Sequence, residues 1–257
     1  MSTPNTTPLT YNLYVTQMAT MAVVNTSTSN GVVIGVDAAF NAILPQMLNY
    51  AELRIQRDLD ILPSLTSNTY TLTIGVNILQ ISVNDFVTIQ DLSIVNSGVN
   101  YPLLATTKEY LQNVYGDSTA TAQPAYFAMY GGDLSTGGNT YNNIILGPYP
   151  NAAYTVRING TQRLPTLYQS ATPSLAATGT TFISTNYPDL LVMASMVYIS
   201  AYQRNFGRMS DDPSMAQSYE GQYQTLLKQS VVEEDRKIFA SSAWSAMAPT
   251  PAATPSR

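Results

Sequence analysis

Neither histidine nor cysteine occurs anywhere in the 257 residues. The first absence removes the usual general base and the commonest metal ligand, and the second removes the thiolate nucleophile, disulfides and thiolate metal sites. Charge is scarce as well, at 11% Asp, Glu, Lys and Arg against about 25% in an average soluble domain. With a net charge of −5 and 11 basic residues, the chain lacks the means for a broad basic patch, which excludes a protein built to grip nucleic acid. Passage of DNA along a mildly acidic wall is not excluded. No apolar run approaches ~18 residues, and the N-terminus lacks a basic start followed by an apolar core, so the sequence predicts neither a membrane span nor a signal peptide.

Thr, Ser, Asn and 18 tyrosines fill the polar positions instead, beside an ordinary 45% of apolar residues. That apolar fraction over this length supports one large or two modest cores. Low surface charge suits a subunit whose flanks end against other subunits, and tyrosine is favoured in such contacts.

The densest helical periodicity runs from Phe40 to Asp60, where Phe40, Ile43, Leu44, Met47, Ala51, Ile55 and Leu59 form one apolar stripe. Glu52, Arg54, Arg57 and Asp58 read as lying off that stripe, on flanks facing water or a neighbouring chain. Asp37 is the expected N-cap, satisfying the free donors of Ala39 and Phe40. Pro45 either kinks the helix or marks its first turn, and Pro63 closes the segment. Before it, residues 1–9 read as a flexible arm and Thr10 to Val24 as a first helix, ended by the polar NTSTSN at 25–30.

From Thr69 the period changes to two, through Tyr70, Leu72, Ile74, Ile78, Ile81, Val83, Val87 and Ile89. Turns are expected at Asn84-Asp85 and at Gly98-Val99-Asn100. A short helix over Thr107–Tyr115 and strands over Ala125–Tyr130, Asn142–Leu146 and Tyr154–Asn159 follow. Residues 162–180 read as an extended return strap. Helical spacing resumes after Asn186, the expected cap, with Pro188 at the first helical position and a broad stripe ending near Gly207. A last helix carries Met215, Tyr219, Tyr223, Leu226 and Leu227 and runs to about Phe239.

The expected class is therefore α+β. Helices in 10–62 and 181–240 form one bundle, an antiparallel β-sandwich or barrel at 63–180 is inserted between them, and a Pro/Ala-rich tail at 241–257 follows. The strands are short and evenly punctuated, which favours antiparallel over parallel pairing.

No constellation points to chemistry. Asp58/Asp60, Asp211/Asp212 and Glu233/Glu234/Asp235 are the available acidic groupings, and each sits in a charged helix face or a capping position. Gly131-Gly132 and Gly137-Gly138 lack the GK[ST] ending of a phosphate loop and read as hairpin loops. The expectation is no enzyme, no metal and no cofactor.

Five stretches taken in order give a further pointer: Leu44 to Leu62 (LPQMLNYAELRIQRDLDIL), Tyr101-Pro102-Leu103 before TTKEYLQNVY, QPAYFA from Gln123, IILGPYP from Ile144, and NYPDLL from Asn186. Together they resemble the adaptor, or head-to-tail connector, proteins of tailed phages, of the tail tubular protein A kind. The counterparts of that family's signature helix are Leu44, Pro45, Met47, Ala51, Glu52, Arg54, Ile55, Arg57, Asp58 and Leu59. The resemblance covers about residues 36–240. It implies a virion protein made in the host cytoplasm, a homo-oligomeric ring that is commonly twelve-fold, seated between the portal and a nozzle or other tail protein. DNA passes through its lumen without sequence-specific binding, and no membrane is involved.

Under that resemblance Glu52, Arg54, Arg57 and Asp58 become candidates for contacts between subunits, against the alternative of pairing within the chain to groups such as Asp58 or Glu233. Phe239, Trp244 and Met247 become candidates for a tail that docks on the portal by ordering on binding. A rival reading makes the tyrosine-rich β module a receptor- or carbohydrate-binding part of the virion.

Overall fold

The computed structural model describes residues 8–29, 31–35, 37–82, 85–119, 121–132, 141–168, 179–205 and 215–241. It divides into two compact units, one formed by residues 1–62 with 164–257 and the other by 63–163.

In the helical unit, helix α1 spans Tyr11–Met21, and the Thr10 hydroxyl caps it by accepting the Leu13 N–H at 3.3 Å. Tyr14, Val15, Met18 and Ala19, one turn apart, form its buried face. The NTSTSN segment does more than end this helix. Thr26–Ser29 (β1) pairs antiparallel with Val32–Gly35 (β2) in a small hairpin. Asn12 ties that hairpin to α1, its Nδ2 donating to Gly31 O at 2.8 Å and its Oδ1 accepting the Val33 N–H at 2.9 Å.

Helix α2, Ala38–Asp58, starts as the sequence predicts, with Asp37 Oδ1 accepting the N–H groups of Ala39 at 2.9 Å and Phe40 at 3.3 Å. Pro45 lies inside the helix and not at its first turn. Phe40, Leu44, Leu48, Ala51 and Ile55 are its buried apolar side chains. A short helix α3, Lys108–Val114, belongs to the other unit.

Near the return to the helical unit, Thr181 caps a five-residue helix α4, Phe182–Asn186, through a reciprocal capping box with Ser184. Asn186 is thus the end of α4 and not the cap of the next helix, and its Nδ2 donates back to Phe182 O at 2.9 Å. Pro188 does open helix α5, Pro188–Asn205, and helix α6 spans Met215–Ser241. Leu190, Leu191, Ala194, Ser195, Met196 and Ile199 are fully buried. Such a broad buried band makes α5 the centre of the unit, in contact with α1, α2, α4 and α6.

In the β unit, a 3-10 turn at Leu62–Ser64 leads into β3, Leu65–Thr71. Then come β4 (Ile78–Ser82), β5 (Thr88–Asn96), β6 (Val99–Pro102), β7 (Leu104–Ala105), β8 (Thr121–Ala122), β9 (Tyr126–Gly132), β10 (Tyr141–Gly147), β11 (Tyr149–Pro150) and β12 (Thr155–Thr161). One four-stranded sheet has the order β3-β12-β5-β6 and is antiparallel throughout. The other has the order β4-β10-β9-β7, with β7 parallel to β9, and β8 and β11 form a small parallel pair. The unit therefore combines one antiparallel sheet, as expected, with one mixed sheet.

Leu92, Ile94, Val156 and Ile158 from the first sheet share one core with Ile81, Phe127, Ile144 and Leu146 from the second. That is sandwich packing, with no closed barrel among the described residues. The β5–β6 turn is tighter than GVN suggested: Asn96 pairs with Val99, and Ser97 and Gly98 take φ of 51° and 81° between them. Asn84 and residues 133–140 lie outside the described residues.

The β unit also ends earlier than residue 180. Leu164, Leu167 and Tyr168 of the expected strap pack into the helical core.

Gly160 sits where the β12–β5 register shifts, and a Cβ there would stand 2.1 Å from Thr88 O and 2.9 Å from the Phe86 ring. Gly160→Ala is expected to destabilise the β unit by about 1–3 kcal/mol through overpacking, read as a lower urea midpoint. An unchanged midpoint contradicts the packing described.

Candidate functional site

Helix α2 carries its polar residues in two groups that do different things. Glu52 and Gln56, one turn apart, reach the backbone of the return strap. Gln56 Oε1 accepts the Leu164 N–H at 3.0 Å, and Glu52 Oε1 accepts the Leu167 N–H at 2.9 Å. Two side chains on a helix thereby give an irregular, partly buried segment the hydrogen-bond partners it cannot find in a sheet. Tyr168 closes the strap by packing its ring on Tyr11, with centroids 5.2 Å apart.

The expected position of Glu52 on a solvated flank does not hold, because the residue is 1% exposed. Among the described residues its Oε2 has no hydrogen-bond partner, and neither has the buried Tyr14 hydroxyl. Burial dominates its titration and pushes the carboxyl up to about 7, with hydrogen bonds from Thr166 and Leu167 holding back part of the rise.

Arg54 faces the other way, toward α6. Its guanidinium forms a two-pronged pair with Glu220, at 2.9 Å and 2.6 Å, and lies over the Tyr223 ring at 4.2 Å from the centroid. Asp58, four residues on, is 3.6 Å from Arg54 Nε and accepts the Tyr223 hydroxyl at 2.8 Å. Hydrogen bonding to Glu220 raises the Arg54 guanidinium further, and Arg54 in turn holds the Glu220 carboxyl below its usual range. Arg54 and Asp58 thus have partners inside the chain, the principal one being Glu220, a residue the sequence alone did not single out.

Arg57 is exposed, its Nε donating to Leu53 O at 3.0 Å. With Asp58, Asp60 and Asp235 it borders a hollow of about 260 Å³ at the end of α2. Behind this rim Glu234, 1% exposed, accepts from the Leu62 N–H at 3.0 Å, from Lys237 at 2.7 Å and from the Tyr187 hydroxyl. Burial works to raise the Glu234 carboxyl, but these three donors outweigh it and hold it below its usual range. Lys237 also pairs with Glu233 at 2.7 Å. Phe239 falls in the last turns of α6, its side chain outside the described residues, as are Trp244 and Met247.

These polar groups stitch elements together. Among the described residues no group of three or more His, Cys, Asp or Glu is placed to hold a metal ion, and no helix is long and apolar enough to cross a membrane.

The SU10 adaptor protein family matches residues 19–250, which takes in the whole β unit, most of the helical unit and the polar groups of α2 and α6 just described. The chain belongs to the SU10 adaptor protein family. It is a structural adaptor protein of a bacteriophage, a virion component of a kind that associates with other virion components such as portal and tail. No curated protein matches the sequence of this SU10 adaptor. The family's span runs beyond the 36–240 that the motifs suggested, at both ends.

The Glu52 carboxyl gives the adaptor a definite pH dependence. Its folded pKa lies above the ordinary value of 4.5, so its contribution is complete below about 4.5 and is lost as pH rises through about 7. The loss amounts to about 3 kcal/mol at most. The lowered carboxyls Glu220 and Glu234 act in the opposite sense and at lower pH. Glu52→Gln is expected to flatten the fall in urea stability between about pH 5 and about pH 8, leaving the variant more stable than the parent at the upper end. A variant with the same slope as the parent contradicts the assignment.

Proposed function

We propose that this SU10 adaptor is a subunit of a ring at the head-to-tail interface, joining the portal to the tail and forming part of the channel through which DNA leaves. The observation that carries the reading is the family match over residues 19–250. The composition supports it: a subunit with 11% charged residues is suited to having both flanks covered by identical neighbours, and heterologous contacts close into a ring when the rotation allows. The net charge of −5 suits a wall that DNA passes without being gripped. Kinship with the tail tubular protein A kind of connector belongs to the same proposal, as does a twelve-fold ring.

Within the ring, Arg57 and Asp58, exposed at the end of α2, make the charged contacts to the adjacent subunit. Arg54 acts behind them by fixing Asp58 and α6 in place. Glu52 acts from inside, holding the strap. The segment carrying Phe239, Trp244 and Met247 docks on the portal, where aromatic and methionine side chains find an apolar seat. No observation favours the receptor- or carbohydrate-binding alternative.

Native mass measurement with negative-stain imaging, on the chain alone and mixed with portal, tests the reading. Closed rings of about twelve subunits are expected, and a trimer that binds glycans overturns it. Deletion of residues 241–257 is expected to leave rings intact while weakening their attachment to portals at least tenfold. Truncated rings that seat on portals normally refute the docking role.

A further inference from the structure

The two lateral sides of the β-sandwich are built differently. On one side the edge strands are β3 of the first sheet and β4 of the second, joined by the loop 72–77. From Leu65 to Ser82 this side contains no charged residue and no proline. Leu72 N–H donates to Tyr154 O at 2.8 Å and Gln162 N–H donates to Ser64 O at 2.8 Å. Those two bonds fix the parity of the β3–β12 ladder: even-numbered residues of β3 face β12, and the N–H and C=O groups of Leu65, Ser67, Thr69 and Thr71 point outward. The bond from Leu146 N–H to Asn77 O at 2.7 Å sets β4 likewise, with Ile78 and Gln80 outward.

Beside these groups Leu65, Ile74, Val76 and Ile78 are 47%, 61%, 45% and 41% exposed. A hollow of about 450 Å³, lined by Leu72, Val76, Ile78 and Leu79 among others, opens between the two edges. An edge of this length without lysine, proline or bulge is a pairing template that natural proteins normally block.

The opposite side is blocked in part. There β6 and β7 are the edges, joined through the buried Leu103. Leu103 N–H donates to Leu92 O, so Asn100 and Pro102 point outward, and Pro102 has no N–H to offer. Acceptors therefore exceed donors on this side. It too carries no charge from Val99 to Thr107, and it exposes Val99, Tyr101 and Leu104. The charged residues of the described β unit, namely Asp85, Asp91, Lys108, Glu109, Asp117, Arg157 and Arg163, lie outside both stretches.

We infer that the β3/β4 side of one copy of this chain packs against the β6/β7 side of the next, so that the β units form a continuous belt of edge-to-edge contacts. The occupant is a second copy because the same module carries both sides: an edge whose outward residues each present an N–H and a C=O, and an edge that lacks only the N–H of Pro102, each uncharged and each exposing apolar side chains. Contact between unlike sides is heterologous, the type that propagates around a ring. The inference rests on the ring reading and assigns it a surface.

The absence of native cysteine makes the test direct. Ser67→Cys or Thr69→Cys protein is mixed with Asn100→Cys protein, assembled, oxidised and run on a non-reducing gel, while the same samples are imaged for rings. All three positions are exposed. The expected result is a dimer band in the mixtures and little or none in any single variant. Self-crosslinking of the β3 variants means that like sides meet, and overturns the inference. Rings without crosslinks overturn it while leaving the ring reading standing. Absence of rings under every condition removes both.

A second variant, Thr69→Lys with Ile74→Asp, places charge at exposed positions and is checked for folding by circular dichroism. It is expected to cut ring formation at least tenfold. Full assembly by this folded variant counts against the surface.

Discussion

Helix α5 is the element on which the helical unit depends. Seven of its ten side chains from Leu190 to Ile199 are buried, so the helix is stable only while α1, α2, α4 and α6 surround it. Ala194, Ser195 and Ser200 are small, which lets neighbouring backbones approach closely, and the Ser195 and Ser200 hydroxyls donate to Leu191 O and Val197 O within the helix. The apolar stripe of α2 finds its partner there. Sequence-distant helices are thereby drawn together, and the β unit is inserted in the chain between them.

Polar side chains then decide what that packing holds in register. Arg54 fixes α2 to α6 through Glu220 and Tyr223, and Glu234 gathers Leu62, Tyr187 and Lys237 at the point where α2 gives way to the β unit. Glu52 and Gln56 pin the strap by which the chain returns. Both crossings between units are therefore anchored, on the helical side, by carboxylates buried to about 1% exposure. A charge so placed costs more to orphan than its net contribution suggests, so loss of a partner is more damaging than loss of the pair.

Much of the fold was legible because it rests on local chemistry. Asp37 caps α2 through the two donors predicted for it, and Pro188 opens α5. The hairpin at Thr26–Ser29 escaped because its strand residues are short, polar and exposed, although Asn30-Gly31 carries a turn signal. The short α4 escaped because its signal is the Thr181–Ser184 box and not the more visible Asn186-Tyr187-Pro188.

The candidate site was legible in its helix and not in its partners. Glu52 follows Leu44 and Leu48 at four-residue steps, so spacing alone puts it on the buried face, whereas its charge points to a flank. What makes its burial tolerable is a backbone N–H 115 positions later in the chain, and Arg54 depends on a carboxylate 166 positions away. No local pattern encodes such pairs; they follow from which helices α5 brings together.

The place proposed for this SU10 adaptor is between head and tail. Gold-labelled antibody raised against the chain, applied to intact and tail-detached virions, reads that place directly. The account predicts label confined to the head-to-tail junction and retained on that end after detachment. Label along fibres, at the tail tip or over the capsid shell contradicts it.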